Sequence, residues 1–289
     1  MSATWGYQPS LKRRILRRIC RGMISIFRLN GKSIYSNEFM QMLDPQIEVN
    51  LHGEKLKFRT GNGRLLWRAK TLTTEEPMMI SWIASMQPED LVLDIGANVG
   101  MYTIPMAKKV KTVYACELDP LNSAILKENI FLNSLQDKVI LLPLACGRST
   151  EIVKVRFRDL AYGDALQLVE GGDTKQHLGS VHSHRAHVSK ILQTSLDELF
   201  LTLGVEWPNK IKIDVDGNEE TVLEGSAKLL ENAEEIYLED GLTSSCEKMI
   251  FFLKNRGFIE KMQEPQYSKN KKSEVVGYTR LYEKWVISE

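Results

Sequence analysis

The sequence predicts an α/β fold: a Rossmann-like, mostly parallel sheet covered by helices on both faces, with an N-terminal helical and hairpin extension. Three observations carry this. From about residue 74 onward, short apolar runs alternate with stretches of helical period, the pattern of strands joined by helical crossovers. The run Leu91-Val92-Leu93-Asp94-Ile95 lacks the alternation of a half-wet strand and reads as one buried on both faces. It runs directly into Gly96-Ala97-Asn98-Val99-Gly100, and one helix length later Val113-Tyr114-Ala115-Cys116-Glu117 forms a second strand that ends in an acid. A chain of 289 residues with 43% hydrophobic content is long enough to bury such a core.

The elements follow in order. Residues 1–70 form the extension, in which Leu11, Ile15, Ile19 and Met23 recur at i+4 while arginines take the other faces, a basic amphipathic helix within 11–28. Two readings of it stay open: a peripheral contact with an anionic membrane surface or acidic protein, and a helix packed on the chain's own acidic body. Residues 46–68 alternate weakly and predict a hairpin around Thr60-Gly61-Asn62-Gly63. The main domain covers 71–289. Pro77 opens a helix to Met86; strand 91–95 leads into helix 100–109; strand 112–117 leads into a helix with Asp119 at the N-cap and Pro120 at N1. Strand 138–143 follows, and strand 152–158 extends an edge. Residues 159–190, with Gly163, Gly171, Gly172 and Gly179 and little periodicity, read as a long substrate loop at the mouth of the cleft. Ser195-x-x-Glu198 and Ser244-x-x-Glu247 are capping-box patterns for the helices around strand 210–214 and over 246–255. Gly257 stops the latter, the stretches 257–261 and 279–287 supply a last pair of strands, and the Lys-rich 268–274 is an exposed loop.

The turn after the first strand has a chemistry of its own. Gly96 and Gly100 permit a tight turn and close backbone approach, and Asn98 tolerates the left-handed conformation. Glu117 can accept both hydroxyl protons of a ribose. The turn lacks the G-x-G-x-x-G glycines that seat a pyrophosphate, and Asp94 would repel one, whereas it could orient an ammonium. S-adenosylmethionine has an ammonium, a ribose and no phosphate. The plainer alternative is an ordinary buried turn whose acids are only caps.

Asp94 to Gly100 together with Glu117 resemble the first two motifs of class I S-adenosylmethionine-dependent methyltransferases. Thr194-Ser195-Leu196-Asp197-Glu198-Leu199, then Ile211-Lys212-Ile213-Asp214-Val215-Asp216-Gly217-Asn218-Glu219 and Val222-Leu223-Glu224-Gly225, resemble the paired signature of the FkbM family, so that the resemblance covers residues 71–262. That family more often has Glu at the position of Asp216. The resemblance implies an antiparallel last strand and Ala145 lining the adenine slot. With that cofactor, Asp94 and the Gly96–Gly100 backbone meet its methionine end, Thr103 bonds its carboxylate, Glu117 holds the ribose and Leu118 packs on adenine.

Methyl transfer to oxygen needs an in-line approach and a base for the hydroxyl proton. Asp214 ends a central strand at the sheet edge where open α/β folds bind ligands, and Glu239 ends the next. With Asp216 and Glu219 they could raise one another's proton affinity or hold a divalent cation, while helix capping explains Asp216 and Glu219 equally well. His177, His182, His184 and His187 fall in the long loop; they read as solvated substrate-loop residues, as a general base, with His187 the first candidate, or as metal ligands at no recognised spacing.

Charge and cysteines bound the partners. Eight bases precede the first acid, Glu38, and removing them from the 38 Lys and Arg leaves 30 against 37 acids. This acidic body, and the lack of an N/D-P-P-Y/F motif, argue against a nucleic-acid substrate, and the resemblance to the FkbM family implies a hydroxyl of a sugar, glycan or other small molecule as acceptor. The alternative is a non-catalytic cofactor-binding module docking on a glycan-assembly complex or membrane. Four separated cysteines, no clean signal peptide and no apolar run of spanning length predict a reducing, cytoplasmic setting, with peripheral membrane contact as the variant.

Overall fold

The computed structural model describes residues 15, 18, 19, 22 and 44–285, except 166, 170–185, 242–243 and 268–274. The chain divides into two compact units, Met1–Pro45 and Gln46–Glu289. In the first, Ile15, Arg18, Ile19 and Gly22 are helical and exposed. The rest of the expected basic helix lies outside the described residues, as do His177, His182, His184 and the Lys-rich loop. No helix among the described residues is long and apolar enough to cross a membrane.

The second unit opens with a hairpin of β1 (Gln46–Leu51) and β2 (Glu54–Arg59), whose turn is His52-Gly53, both at positive φ. The expected turn at Thr60–Gly63 is instead the start of α1 (Gly63–Thr71): Asn62 caps it, accepting from the Arg64 and Leu65 amides. Asn-Gly serves either purpose, and the apolar stripe Leu65, Ala69, Leu72 decides for the helix. Hairpin and α1 belong to the body rather than to an extension ending at residue 70, because Leu56, Phe58, Leu65, Ala69 and Leu72 join the first core.

The open side of β2 is closed by two asparagines of helix α4 (Pro120–Leu132) and its cap. Asn129 Oδ1 accepts from the Arg59 amide at 2.8 Å, and Asn133 both accepts from the Lys57 amide at 2.9 Å and donates to its carbonyl at 2.7 Å. Asn133→Ala would strand both backbone groups; we expect a loss of about 1–3 kcal/mol, read as a lowered melting temperature with cofactor binding unchanged.

The main sheet has seven strands in the order β12 (Phe258–Tyr267), β13 (Val275–Lys284), β11 (Glu235–Gly241), β10 (Lys210–Ile213), β3 (Leu91–Ile95), β4 (Thr112–Cys116), β5 (Val139–Leu142). All neighbours among β11, β10, β3, β4 and β5 are parallel, and β13 runs antiparallel to both β11 and β12. The expected antiparallel last strand is present. Alternate residues feed two cores: Val92 and Val113 face α1, α2 (Pro77–Ser85), α3 (Thr103–Lys109) and α4, while Leu93, Ile95, Ile211 and Ile213 face α5 (Leu196–Leu203), α6 (Glu219–Glu224), α7 (Leu229–Asn232) and α8 (Ser244–Lys254). Asp119 caps α4 through the Leu121 amide, and the Ser195 hydroxyl accepts from the Glu198 amide.

The strand at 152–158 does not extend the main sheet. It is β7 (Glu151–Phe157), inside a separate sheet of order β6 (Ala145–Cys146), β9 (His187–Thr194), β7, β8 (Leu168–Val169). Its alternation, with Val155 and Phe157 buried between exposed Ile152, Lys154 and Arg156, demands a cover on one face only. Part of the segment that reads as loop, 159–190, provides β8 and β9 for that purpose.

Candidate active site

The strand register brings four predicted residues to one edge. One position beyond the paired row Leu238, Ile213, Ile95, Cys116 stand Glu239, Asp214, Gly96 and Glu117. Successive strands leave β3 in one direction and β10 in the other, so this edge contains the crevice where doubly wound sheets bind ligands.

The turn is built for close approach. Gly96 has φ +79°, and a Cβ there would lie 1.8 Å from the Asp214 carbonyl oxygen. The amides of Gly96 and Ala97 both donate to the Cys116 carbonyl, at 3.0 and 2.9 Å, tying the turn to β4. Asn98 and Gly100 also take positive φ, 51° and 84°. The Asn98 amide donates to Glu117 Oε2 at 2.7 Å, and the Asp119 amide to Oε1 at 2.8 Å. Glu117 is also hydrogen-bonded by the Asn122 side chain, and the lone pairs that remain suit a ribose diol. A turn bracketed by Gly96 and Gly100 beside such an acid fits S-adenosylmethionine.

Asp94 is buried in the row behind. Its Oδ2 accepts from the Thr103 hydroxyl at 2.6 Å; its Oδ1 lies 3.2 Å from Lys212 Nζ, an ion pair without a hydrogen bond. Thr103 is fully buried and spends its proton on Asp94, so it holds that acid in place and does not offer itself to a ligand carboxylate. Ala145 is likewise only 1% exposed, locked in β6 opposite Gln193, and is not an open wall of an adenine slot. Leu118 packs on the third apolar cluster, Val155, Phe157 and Val169.

His187 does not join Asp214 and Glu239. It opens β9 and stacks on Phe157, centroids 4.9 Å apart, beside the cluster that holds Leu118. The opposite end of β9 is the one near the strand ends: Gly147 donates to the Thr194 carbonyl, and Asn218, four residues past Asp214, donates to the Cys146 carbonyl. Eight strand residues separate the two ends by about 23 Å.

The acceptor side contains groups that the motifs do not announce. Glu76, at the N-cap of α2, accepts from the Tyr237 hydroxyl at 3.4 Å and is also hydrogen-bonded by Tyr102. Burial, then the charge of Asp214, pushes its carboxyl up to about 7. Burial and the same Asp214 charge push Glu239 well above the carboxylate range. Glu219 accepts from the Gly217 amide at 3.0 Å and closes the turn ahead of α6. Among the described residues no group of three or more His, Cys, Asp and Glu is arranged to hold a metal ion.

Titration near neutrality follows from three glutamates, Glu76, Glu117 and Glu219, each raised to about 7 chiefly by burial. Their folded-state values exceed the unfolded one, so their stabilising contribution is complete below the unfolded value and disappears as pH rises through about 7. The ligand-free protein is therefore expected to melt at a higher temperature near pH 6 than near pH 8. A ribose held by ionised Glu117 predicts that S-adenosylhomocysteine binds more weakly below about pH 7, by at most about tenfold per pH unit; calorimetry across that range checks both the direction and the limit.

A family model described as the methyltransferase FkbM domain matches residues 94–260, more than half of the chain. A hexuronic acid methyltransferase, AglP, of Haloferax volcanii is 25% identical over 194 residues, 66% of this chain and 72% of its own. A tRNA (guanine(37)-N(1))-methyltransferase of Phytophthora infestans is 32% identical over 96 residues, 33% of this chain. The chain spans only 22% of that relative's length and 18% of the corresponding Schizosaccharomyces pombe enzyme. The crystal structure of methyltransferase FkbM from Methylobacillus flagellatus superposes with a TM-score of 0.46 at 13% identity, covering 68% of this chain and 44% of that one. The tRNA-modifying relatives overturn the exclusion of nucleic acid drawn from the acidic body. A summed charge does not describe a local surface: Lys154 and Arg156 of β7 and Lys190 of β9 project from one exposed face of the second sheet.

Proposed function

The chain belongs to the FkbM methyltransferase domain family, a family dependent on S-adenosylmethionine, and from that premise we propose that it methylates a hydroxyl of a sugar or glycan. The observation that carries the reading is the set of acids Asp214, Glu239 and Glu76 at the strand ends beside the Gly96 turn. A hydroxyl must lose its proton as the methyl arrives, and a carboxylate standing at the strand ends beside the turn, partly open to solvent as Asp214 is, supplies a base for it. A carboxylate acceptor would need no base and would be repelled by these acids. Bound S-adenosylmethionine supplies the electrophilic methyl group. The Gly96–Gly100 backbone, with Asp94 behind it, would hold its amino-acid end, Glu117 would hold the ribose, and Asp214 takes the acceptor's proton. Glu239 beside it hydrogen-bonds the acceptor, so that two carboxyl groups divide two roles. The sugar-directed relative that aligns over two-thirds of the chain points to a carbohydrate.

The test uses methyl-labelled S-adenosylmethionine with hexose and hexuronate glycosides and, in parallel, unfractionated tRNA. The reading expects label in a sugar product that survives mild alkali, as a methyl ether does. Alkali-labile label would identify a methyl ester, and label in the bases of tRNA, with none in the glycosides, a nucleobase acceptor; either would overturn it.

A further inference from the structure

Three parts of the site converge on one side chain. Lys212 lies in β10, in the cross-strand row of Asp94, Ala115 and Tyr237, and its side chain is 2% exposed. Its Nζ is 3.2 Å from Asp94 Oδ1, 3.1 Å from Asp214 Oδ2 and 3.4 Å from the Gly96 carbonyl oxygen, to which it donates. The first is the acid behind the cofactor turn, the second the acceptor-side acid, the third the turn itself. A buried ammonium is tolerated only where opposite charges compensate it. Burial alone would lower its proton affinity, but Asp214, Asp94 and Glu76 outweigh that and raise it. We propose that Lys212 is a positioning residue that holds the cofactor turn and the acceptor-side acid in register through its charge. The inference rests on the methyltransferase reading of the site.

Its consequence is electrostatic. Around Nζ stand Asp94 from β3, Asp214 from β10 and Glu76 from the N-cap of α2, with Tyr102 ahead of α3 and Tyr237 and Glu239 on β11 next to them. Without the ammonium, Asp94 and Asp214 confront each other across a buried gap, and their repulsion opens the turn. A packing role would respond to the volume of the side chain, whereas a charge role responds to the acids left behind.

Titration of S-adenosylhomocysteine into the full-length wild type, Lys212→Met and Lys212→Met/Asp214→Asn separates these. Lys212→Met is expected to bind at least about tenfold more weakly, and the double variant to recover most of that loss, a coupling within the usual range for contacting residues. Binding by Lys212→Met within about threefold of wild type, or an equal loss in the double variant, would overturn the proposal. If Lys212→Met does not fold, a double variant that folds and binds supports the charge role; failure of both to fold would make Lys212 a structural residue of the sheet and overturn it. A folded wild type that does not bind at all would instead defeat the methyltransferase reading.

Discussion

Gly96→Ala is expected to abolish measurable binding of S-adenosylhomocysteine and to destabilise the fold. The left-handed conformation alone costs a non-glycine residue about 1–2 kcal/mol. The new Cβ would also lie 1.8 Å from the Asp214 carbonyl oxygen, a backbone atom that cannot swing away. Because both the Gly96 and Ala97 amides bond to the Cys116 carbonyl, relief of the clash must move the turn away from β10 or β4. A total cost near 3 kcal/mol corresponds to a melting temperature lower by about 6–12 °C for a domain of this size. A displacement of about 1 Å at the turn suffices for a hundredfold loss of function. Gly204 provides the control: its φ is +61°, but a Cβ there meets nothing within 4 Å. Gly204→Ala should cost only about 1–2 kcal/mol and leave binding intact. Equal binding by the Gly96 and Gly204 variants would show that the turn is not the cofactor cradle.

Asp214→Asn is expected to leave S-adenosylhomocysteine affinity near that of wild type while lowering kcat by about 10²- to 10⁴-fold, the usual worth of a positioned base. Asparagine keeps the shape, and Lys212 retains Asp94 as its counter-charge. The Asp214 side chain, 30% exposed, is the member of the Lys212 triad that an acceptor can reach. A fall in kcat/KM arising only from KM, with kcat preserved, would indicate that Asp214 binds the acceptor without taking its proton.

The central sheet was legible because its signals are local and mutually consistent. Leu91–Ile95 has to be buried on both faces, Asp119-Pro120 can hardly be anything but a helix start, and Ser195 with Glu198 makes a cap. The register that lines up Gly96, Glu117, Asp214 and Glu239 follows from those strands. What was not legible depends on partners distant in sequence. Asn62-Gly63 has two local uses, and β7 needed β8 and β9 from a segment without periodicity. His187 was favoured by its place in the sequence, but the direction of β9 carries it away from the acids. Thr103 and Ala145 sit at the expected positions, yet burial gives them other work. Glu76 lies ahead of every motif, and only the fold brings it to the acids. Lys212 did leave a signal: a lysine inside Ile211-Lys212-Ile213, in a strand read as central, is a charge that must find a buried counter-charge.

The most direct test is a calorimetric titration of S-adenosylhomocysteine into the wild type and Glu117→Ala. Glu117 accepts two backbone amides at the turn and still has lone pairs for a ribose diol. Binding at one site per chain, weakened in Glu117→Ala by about 1–3 kcal/mol as for loss of a charge-assisted hydrogen bond, is the predicted result. A well-folded wild type that takes up no ligand, or a Glu117→Ala variant that binds as tightly, would contradict the cofactor site on which the rest depends.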